Sequence, residues 1–247
     1  MNDFSFLSIR AQWSPFEKIG ITHWFFSTNI ATLMATGGVF VAIIATLFLC
    51  RFFLNRKNKV ACFLITTGIE AFMNLCTQTL GYFDYGHFSF ITALFLFILY
   101  CNLIGVVPFF EEPTADLNTT LALGTISFAY ITFHAIKKHG FKAYIGEYFE
   151  PFFLMFPLNV VGKLASIISI SFRLFGNLLG GSVITKIFLG SVGTLPSSWY
   201  FGLIPIVGVF LSAGVYIFFG VFEGFIQAFV FAMLSLTYLS TEIAEKD

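Results

Sequence analysis

The stretch Ser166-Ile-Ile-Ser169-Ile-Ser-Phe-Arg173-Leu-Phe-Gly176-Asn177-Leu-Leu-Gly180-Gly181 is an apolar run with one full positive charge near its middle. A charge at the centre of a bilayer costs roughly 2.5–3.5 kcal/mol on insertion scales, so such residues are rare and functional by default. A guanidinium cannot be deprotonated in a protein, which makes this a permanent cation. Working outward, the run extends from Phe152 to Val192, and a second runs from Trp199 to Ser240, with only Gly193 to Ser198 between them. As one helix, each would be about 60 Å long, twice the roughly 30 Å hydrocarbon core. Splitting each into two spans would need a breaker near Phe172-Arg173-Leu174 and near Phe219-Gly220-Val221, and the first site has none. Two long, steeply tilted antiparallel helices are therefore expected.

The rest of the chain follows the same span rule. A first span covers Ile30 to Cys50, followed by the basic residues Arg51, Arg56, Lys57 and Lys59. A second covers Phe88 to Phe110, followed by the acidic stretch Glu111 to Asp116. A third covers Thr119 to Ile136 and ends on Lys137, Lys138, His139 and Lys142. Basic clusters after the first and third spans place those ends on the cytoplasmic side. The N-terminal segment 1–29 is then outside, and the C-terminus cytoplasmic. Between the first two spans, Val60 to Phe83 is broken by Thr66, Thr67, Glu70, Asn74, Thr77 and Gln78. With both its ends cytoplasmic, it reads as an interfacial helix. The expected fold is an all-α integral membrane protein forming one domain over 1–247, with about five membrane-crossing helices plus the interfacial one. A signal peptide is not expected, because the first thirty residues lack the n-region, h-region and cleavage-site order.

Composition agrees. Hydrophobic residues are 57% of the chain and charged residues 11%, and mean hydropathy is +0.88, outside the soluble range. The formal net charge of zero gives no global field to draw nucleic acid, which is not expected as a partner. Cys50, Cys62, Cys76 and Cys101 have no CxxC or zinc-type spacing and read as buried small hydrophobes. No GxxxxGK[ST], HExxH, GxSxG or Cys/His cluster is present, so no metal or cofactor is expected. Any nucleotide chemistry must reside on another chain.

On a helix, Asn159, Ser166, Ser169, Gly176, Asn177 and Gly180 fall within about 60° of Arg173. The arginine thus lies on a narrow polar-and-small stripe. Close helix packing is the alternative explanation for Gly176 and Gly180. Glu223 is the only charged residue between Lys186 and Glu242, and its face carries Ser212, Tyr216, Gly220 and Gln227. If the two long helices reverse at the Gly193 turn, Arg173 lies level with Phe218, and Glu223 about one turn away. Arg173, Glu223, Gln227 and Asn177 would then share one depth, as a proton or cation site or as a fixed ion pair. Asn102 would either bond across helices or line a hydrated path. Asp84 and His87 are expected in solvated roles, Lys163 and Lys186 as snorkelling side chains, and Asp116 and Asn118 as helix caps.

At Ser169-x-Ser-x-Arg173-Leu-Phe-Gly-Asn177 the chain resembles subunit a of the F-type ATP synthases, the membrane stator subunit. The resemblance extends over Asn102-Leu-x-Gly105-x-x-Pro108, Pro113-Thr-x-Asp116-Leu-Asn118-x-Thr120, Pro157-Leu-Asn159, Ile226-Gln227-Ala228 and Thr237-Tyr-Leu-Ser240. It implies that Arg173 is the essential arginine facing a rotating ring of small c-type hairpin subunits, each with a carboxylate. It implies two offset half-channels, most simply for protons, with Asn102, Asn177 and Gln227 along them. Peripheral-stalk b-type subunits, the F1 sector indirectly, and the cell inner (plasma) membrane complete the implied setting. The chain departs from the family at Ser182, Asn159 and Gly220, where ionisable side chains are common. Glu223, on the same helical face one turn along from Gly220, is inferred to take over the half-channel carboxylate role. The competing reading is a secondary transporter or channel using Arg173 to bind an anionic substrate.

Overall fold

The computed structural model describes residues 12–13, 28–56, 58–106, 112–149, 152–193, 210–211, 213–215 and 217–244. Apart from one antiparallel pair of two-residue strands, β1 (Gln12–Trp13) and β2 (Thr28–Asn29), the described elements are helical. They are α1 (Ile30–Asn55), α2 (Lys59–Leu80), α3 (Tyr85–Ile104), α4 (Leu117–His139), α5 (Phe141–Glu147), α6 (Phe156–Gly193) and α7 (Gly224–Ile243). Short 3-10 turns at Pro113–Ala115 and Phe153–Met155 lead into α4 and α6. The all-α membrane fold is as expected, with six helices long and apolar enough to cross a bilayer among the described residues. The sixth is α2, read from sequence as interfacial but reaching membrane length and apolarity by itself.

The helix of 38 residues at α6 passes through Arg173 without a break, as the absence of a breaker demands. At the other halfway point the chain does deviate. Phe218–Glu223 forms a π-helical turn that runs straight into α7. Of the second long run, residues 199–209, Ser212 and Tyr216 lie outside the described residues.

Four helices make the core. Leu94 and Ile98 of α3, Leu123 of α4, Ile170, Leu174 and Leu178 of α6, and Ala228 and Phe231 of α7 form one buried cluster. Without a hydrophobic drive between helices in lipid, small residues and hydrogen bonds hold such a bundle. Gly124 supplies the close approach of α4 to α6: a Cβ there would collide with the Ser171 hydroxyl. Ser127 of α4 donates to Ser235 of α7 at 2.8 Å, both fully buried. Cys76 and Cys101 are buried as expected, whereas Cys50 and Cys62 are half-buried, and all four are free.

The ends of the helices sort onto two sides. Helix α1 runs antiparallel to α3, with Gly38 beside Ile104 and Thr46 bonded to Tyr100 at 2.6 Å. Its C-terminus therefore lies at the end of the bundle where α3 begins. The C-terminus of α2 is at that end too: Cys76 packs in a cluster with Ile91 of α3 and with Ala232 and Leu236 of α7. There Ser240 donates to the Thr79 carbonyl at 2.7 Å, and Lys138 caps α7 through the Ile243 carbonyl at 2.8 Å. Asp116 N-caps α4 through the Asn118 amide at 3.0 Å, the role expected for it.

Candidate functional site

The stripe around Arg173 faces away from the protein. Arg173, Ser169 and Gly176 are exposed, and Ser166, Asn177 and Gly180 half-buried, while Ile170, Ser171, Leu174 and Leu178 on a flank of α6 are the packed ones. Nothing lies within 4 Å of where a Cβ would stand at Gly162, Gly176 or Gly180. Close packing among the described residues therefore does not explain those glycines. Arg173 makes no ion pair with Glu223. Its neighbours on α7 are Gln227, Val230, Phe231 and Leu234, which with Ile170 and Leu174 wall a narrow cleft.

Glu223 is elsewhere. A Cβ on Gly181 would stand 3.0 Å from its carboxylate and 3.1 Å from the Phe219 ring, so Glu223 lies level with Gly181. That is two turns of α6 beyond Arg173, about 12 Å along the axis. The shared depth expected for Arg173, Glu223, Gln227 and Asn177 is thus corrected: Gln227 is beside the arginine, and Glu223 is not. The register of α6 on α7 differs from the one expected from a reversal at the Gly193 turn: Lys163 meets Glu242 and Gly181 meets Glu223.

Lys163 is engaged within the chain. Its amine pairs with Glu242 at 3.0 Å and stands over the Tyr144 and Tyr148 rings at 4.5 and 4.7 Å. Tyr144 and Tyr148 bond each other through their hydroxyls at 3.1 Å. Burial first, and the Tyr144 hydrogen bond next, push the Tyr148 phenol up to about 12, so it stays protonated. Asn159 is not near Arg173 either: its amide donates to the Tyr148 carbonyl at 3.0 Å, anchoring the start of α6. Asn102 is buried and structural in its contacts. It donates to the Gly224 carbonyl at 2.9 Å and accepts from Thr114 at 2.8 Å, tying α3 to the end of the π-turn. Gly220 and Gly224 make that approach possible, since a Cβ on either would press on Val106 or Asn102. The Ser182 and Lys186 side chains lie outside the described residues.

A family model described as the ATP synthase A chain matches residues 32–240. The chain belongs to the ATP synthase A chain family. Among curated relatives it is similar to ATP synthase subunit a of Moorella thermoacetica, 32% identical over 85% of this chain and 89% of that protein. It is 32% identical to subunit a of Desulfosudis oleivorans over 91% of this chain and 92% of that one. With subunit a of Desulforamulus reducens it shares 35% identity over 61% of this chain, spanning about half (54%) of that relative's length. As an A chain it is a multi-pass membrane component of an ATP synthase, a multi-subunit complex.

Within this A chain, sequence reasoning missed three things. Thr114 as the partner of Asn102 had a signal only in the Pro113-Thr motif. The Lys163–Glu242 pair had none, because the residues are far apart in sequence. His87 was expected in a solvated role, but it is buried, with its ring nitrogen 3.0 Å from the Tyr130 hydroxyl. The neighbouring Asp84 is a helix cap, its carboxylate accepting from the Gly86 and His87 amides at 2.6 and 3.2 Å.

Proposed function

We propose that this A chain is the ion-conducting stator of a rotary ATP synthase and that Arg173 separates two offset half-channels, most simply for protons. The observation that carries the reading is the order of charges along the α6–α7 hairpin. Arg173 is exposed on an unfilled stripe of small residues, with Glu223 about 12 Å to one side and the Lys163–Glu242 pair about 15 Å to the other. A ring of c-type hairpin subunits, each with a mid-membrane carboxylate, fits against that stripe. An ionised carboxylate cannot face lipid, so a ring site must be neutral to rotate. At Arg173 it ionises, because an adjacent cation favours the charged form. Arginine suits this role because it cannot pass its proton on, and its charge blocks a direct leak.

Glu223 serves the outer half-channel, with Gln227, Asn177, Ser169 and Ser182 lining the approach to the ring; Asn102 holds the path's wall and Asn159 the start of α6. The basic ends of α1 and α4 set the cytoplasmic side. Because both ends of α2 lie on that side, α2 rests at the interface, while the α6–α7 hairpin crosses at a steep tilt. The N-terminus is then outside and the C-terminus cytoplasmic, in the plasma membrane of the cell. Exposed α1 faces lipid and b-type stalk subunits, the F1 sector is reached through the stalk, and nucleotide chemistry belongs to other subunits.

Two measurements test this. Purification of the native complex should recover a ring of small hairpin subunits with a mid-membrane carboxylate, and its absence would sink the reading. Arg173→Ala and Arg173→Lys should each abolish ATP-driven ion pumping in inverted vesicles. Assembly should survive, because the side chain is exposed and makes no ion pair among the described residues. Undiminished pumping would refute the assigned role.

A further inference from the structure

We propose that Asn102 and Thr114 are positioning residues for Glu223: they grip the exit of the π-turn from the α3 side and so hold the carboxylate against α6. The proposal rests on the stator reading, in which Glu223 serves the outer half-channel, and adds what aims it. Asn102 and Thr114 are both almost fully buried. Thr114, in the 3-10 turn Pro113–Ala115, donates its hydroxyl to the Asn102 side-chain oxygen at 2.8 Å. The Asn102 amide nitrogen in turn donates to the Gly224 carbonyl at 2.9 Å. Three segments thus meet in one short chain of buried hydrogen bonds. A carboxamide carries an acceptor for the hydroxyl and a donor for the carbonyl on one short, flat group. A carboxylate would lack the donor, and an alkyl side chain would lack both.

The carbonyl that Asn102 takes lies where the helix changes period. Phe218–Glu223 is π-helical, and the Gly224 amide closes the turn on the Val221 carbonyl. Wider turns of this kind are rare, and a side chain inserted into the ladder is a recognised cause of helix irregularity. On the α3 side stand Gly220 and Gly224. A Cβ on the first would press on Val106, and one on the second would stand 3.0 Å from the Asn102 Cβ. On the α6 side stand Phe219 and Glu223, both next to Gly181. These are adjoining faces of one turn, so the grip on the first fixes what the second presents. A slip of one residue rotates a helix by about 100°. It would take Glu223 away from Gly181 and bring Gly224, or the now exposed Phe222, into its place. A hydrogen bond made from α3 therefore decides which residue faces α6.

The test uses the whole complex in inverted vesicles, with Cys50, Cys62, Cys76 and Cys101 replaced by Ser. Gly181→Cys and Phe219→Cys are introduced together, and copper phenanthroline is added to close a disulfide between α6 and the π-turn. Its rate is followed by the loss of maleimide-reactive thiols. We expect ready closure in this background, and a rate lower by about fivefold or more once Thr114→Val or Asn102→Asp removes a buried hydrogen bond. Thr114→Ser, which keeps the hydroxyl, should close as fast as the background. A second readout separates aim from mere stability. With Gly181 and Phe219 restored, Thr114→Val should slow ATP-driven pumping but add little further loss to Glu223→Gln. If Thr114→Val does not assemble, Thr114→Ala takes its place, and failure of both to assemble overturns the proposal. So do absent closure in the background, unchanged rates in the variants, no recovery in Thr114→Ser, or pumping losses that simply add. The disulfide reads the clamp alone. Pumping retained in Arg173→Ala refutes the stator reading, whereas closure unaffected by Thr114→Val refutes only the clamp.

Discussion

Arg173 and Glu223 show how differently two buried-looking charges can be treated. Arg173 is exposed beside the cleft it shares with Gln227 of α7, whereas Glu223 is half-buried against Gly181. On the proposed stator reading its counterpart lies on another subunit, so its loss should cost function and not assembly. Glu223 has its own position to serve. In Glu223→Gln the amide keeps the shape and one hydrogen-bonding oxygen but cannot cycle a proton. We expect slower pumping than in the parent, with less complete loss than in Arg173→Ala, measured as proton uptake by inverted vesicles. Unchanged rates would return Glu223 to a purely structural place. The residue types were legible in the sequence, because a permanent cation and a lone carboxylate in apolar runs stand out on cost alone. Their separation was not, because it depends on contacts between segments fifty residues apart.

At the scale of the element, the π-turn at Phe218–Glu223 is the main departure from regular helix. Such bulges are rare and concentrate at functional sites. Here it turns Gly220 and Gly224 toward α3, where Asn102 clamps the Gly224 carbonyl, and leaves Glu223 facing α6. Helix starts are governed by more ordinary chemistry. Asp84 caps α3, and the His87 amide, followed by the Gly86 amide, holds its carboxylate below the usual range despite a smaller opposing push from burial. A group with a depressed folded-state pKa contributes stability that is fully present above its ordinary value. That stability is lost as the pH falls through the lowered value. Asp84→Ala should therefore destabilise the chain by about 0.5–2 kcal/mol near neutrality. The difference from the parent should shrink on acidification below the ordinary carboxylate pKa, as read by the temperature at which the chain leaves the complex. A difference that grows with acid would contradict the cap.

At the scale of the molecule, α6 and α7 meet α4 through an apolar cluster and through close contacts at small residues. Gly124 is the critical one, since the Ser171 hydroxyl fills the place a Cβ would take. Gly124→Ala should overpack this contact at a cost of about 1–3 kcal/mol. Adding Ser171→Ala should recover most of the loss. That hydroxyl is spent only on the Ile167 carbonyl of its own helix, and the Ser171 Cβ would be an ordinary 3.5 Å neighbour. The thermal stability of the assembled complex checks both, and a double variant no better than Gly124→Ala would show that the helices meet elsewhere.

By itself the sequence determined the class and the cast. Apolar run length against bilayer thickness set the helices, the missing breaker at Arg173 kept α6 whole, and the arginine motif indicated the family. These are local quantities, summed along a chain in a solvent whose demands are simple. What only the tertiary structure decided is the register of α6 on α7, and with it the partners of every charge between them. Gln227 stands beside Arg173, Glu223 beside Gly181, and Lys163 beside Glu242. Register depends on where the chain reverses and on an extra residue absorbed in a π-turn. In an apolar run, neighbouring registers bury nearly the same surface. Close contacts at glycines and a few hydrogen bonds between distant segments choose among them, and that choice carries no local signal.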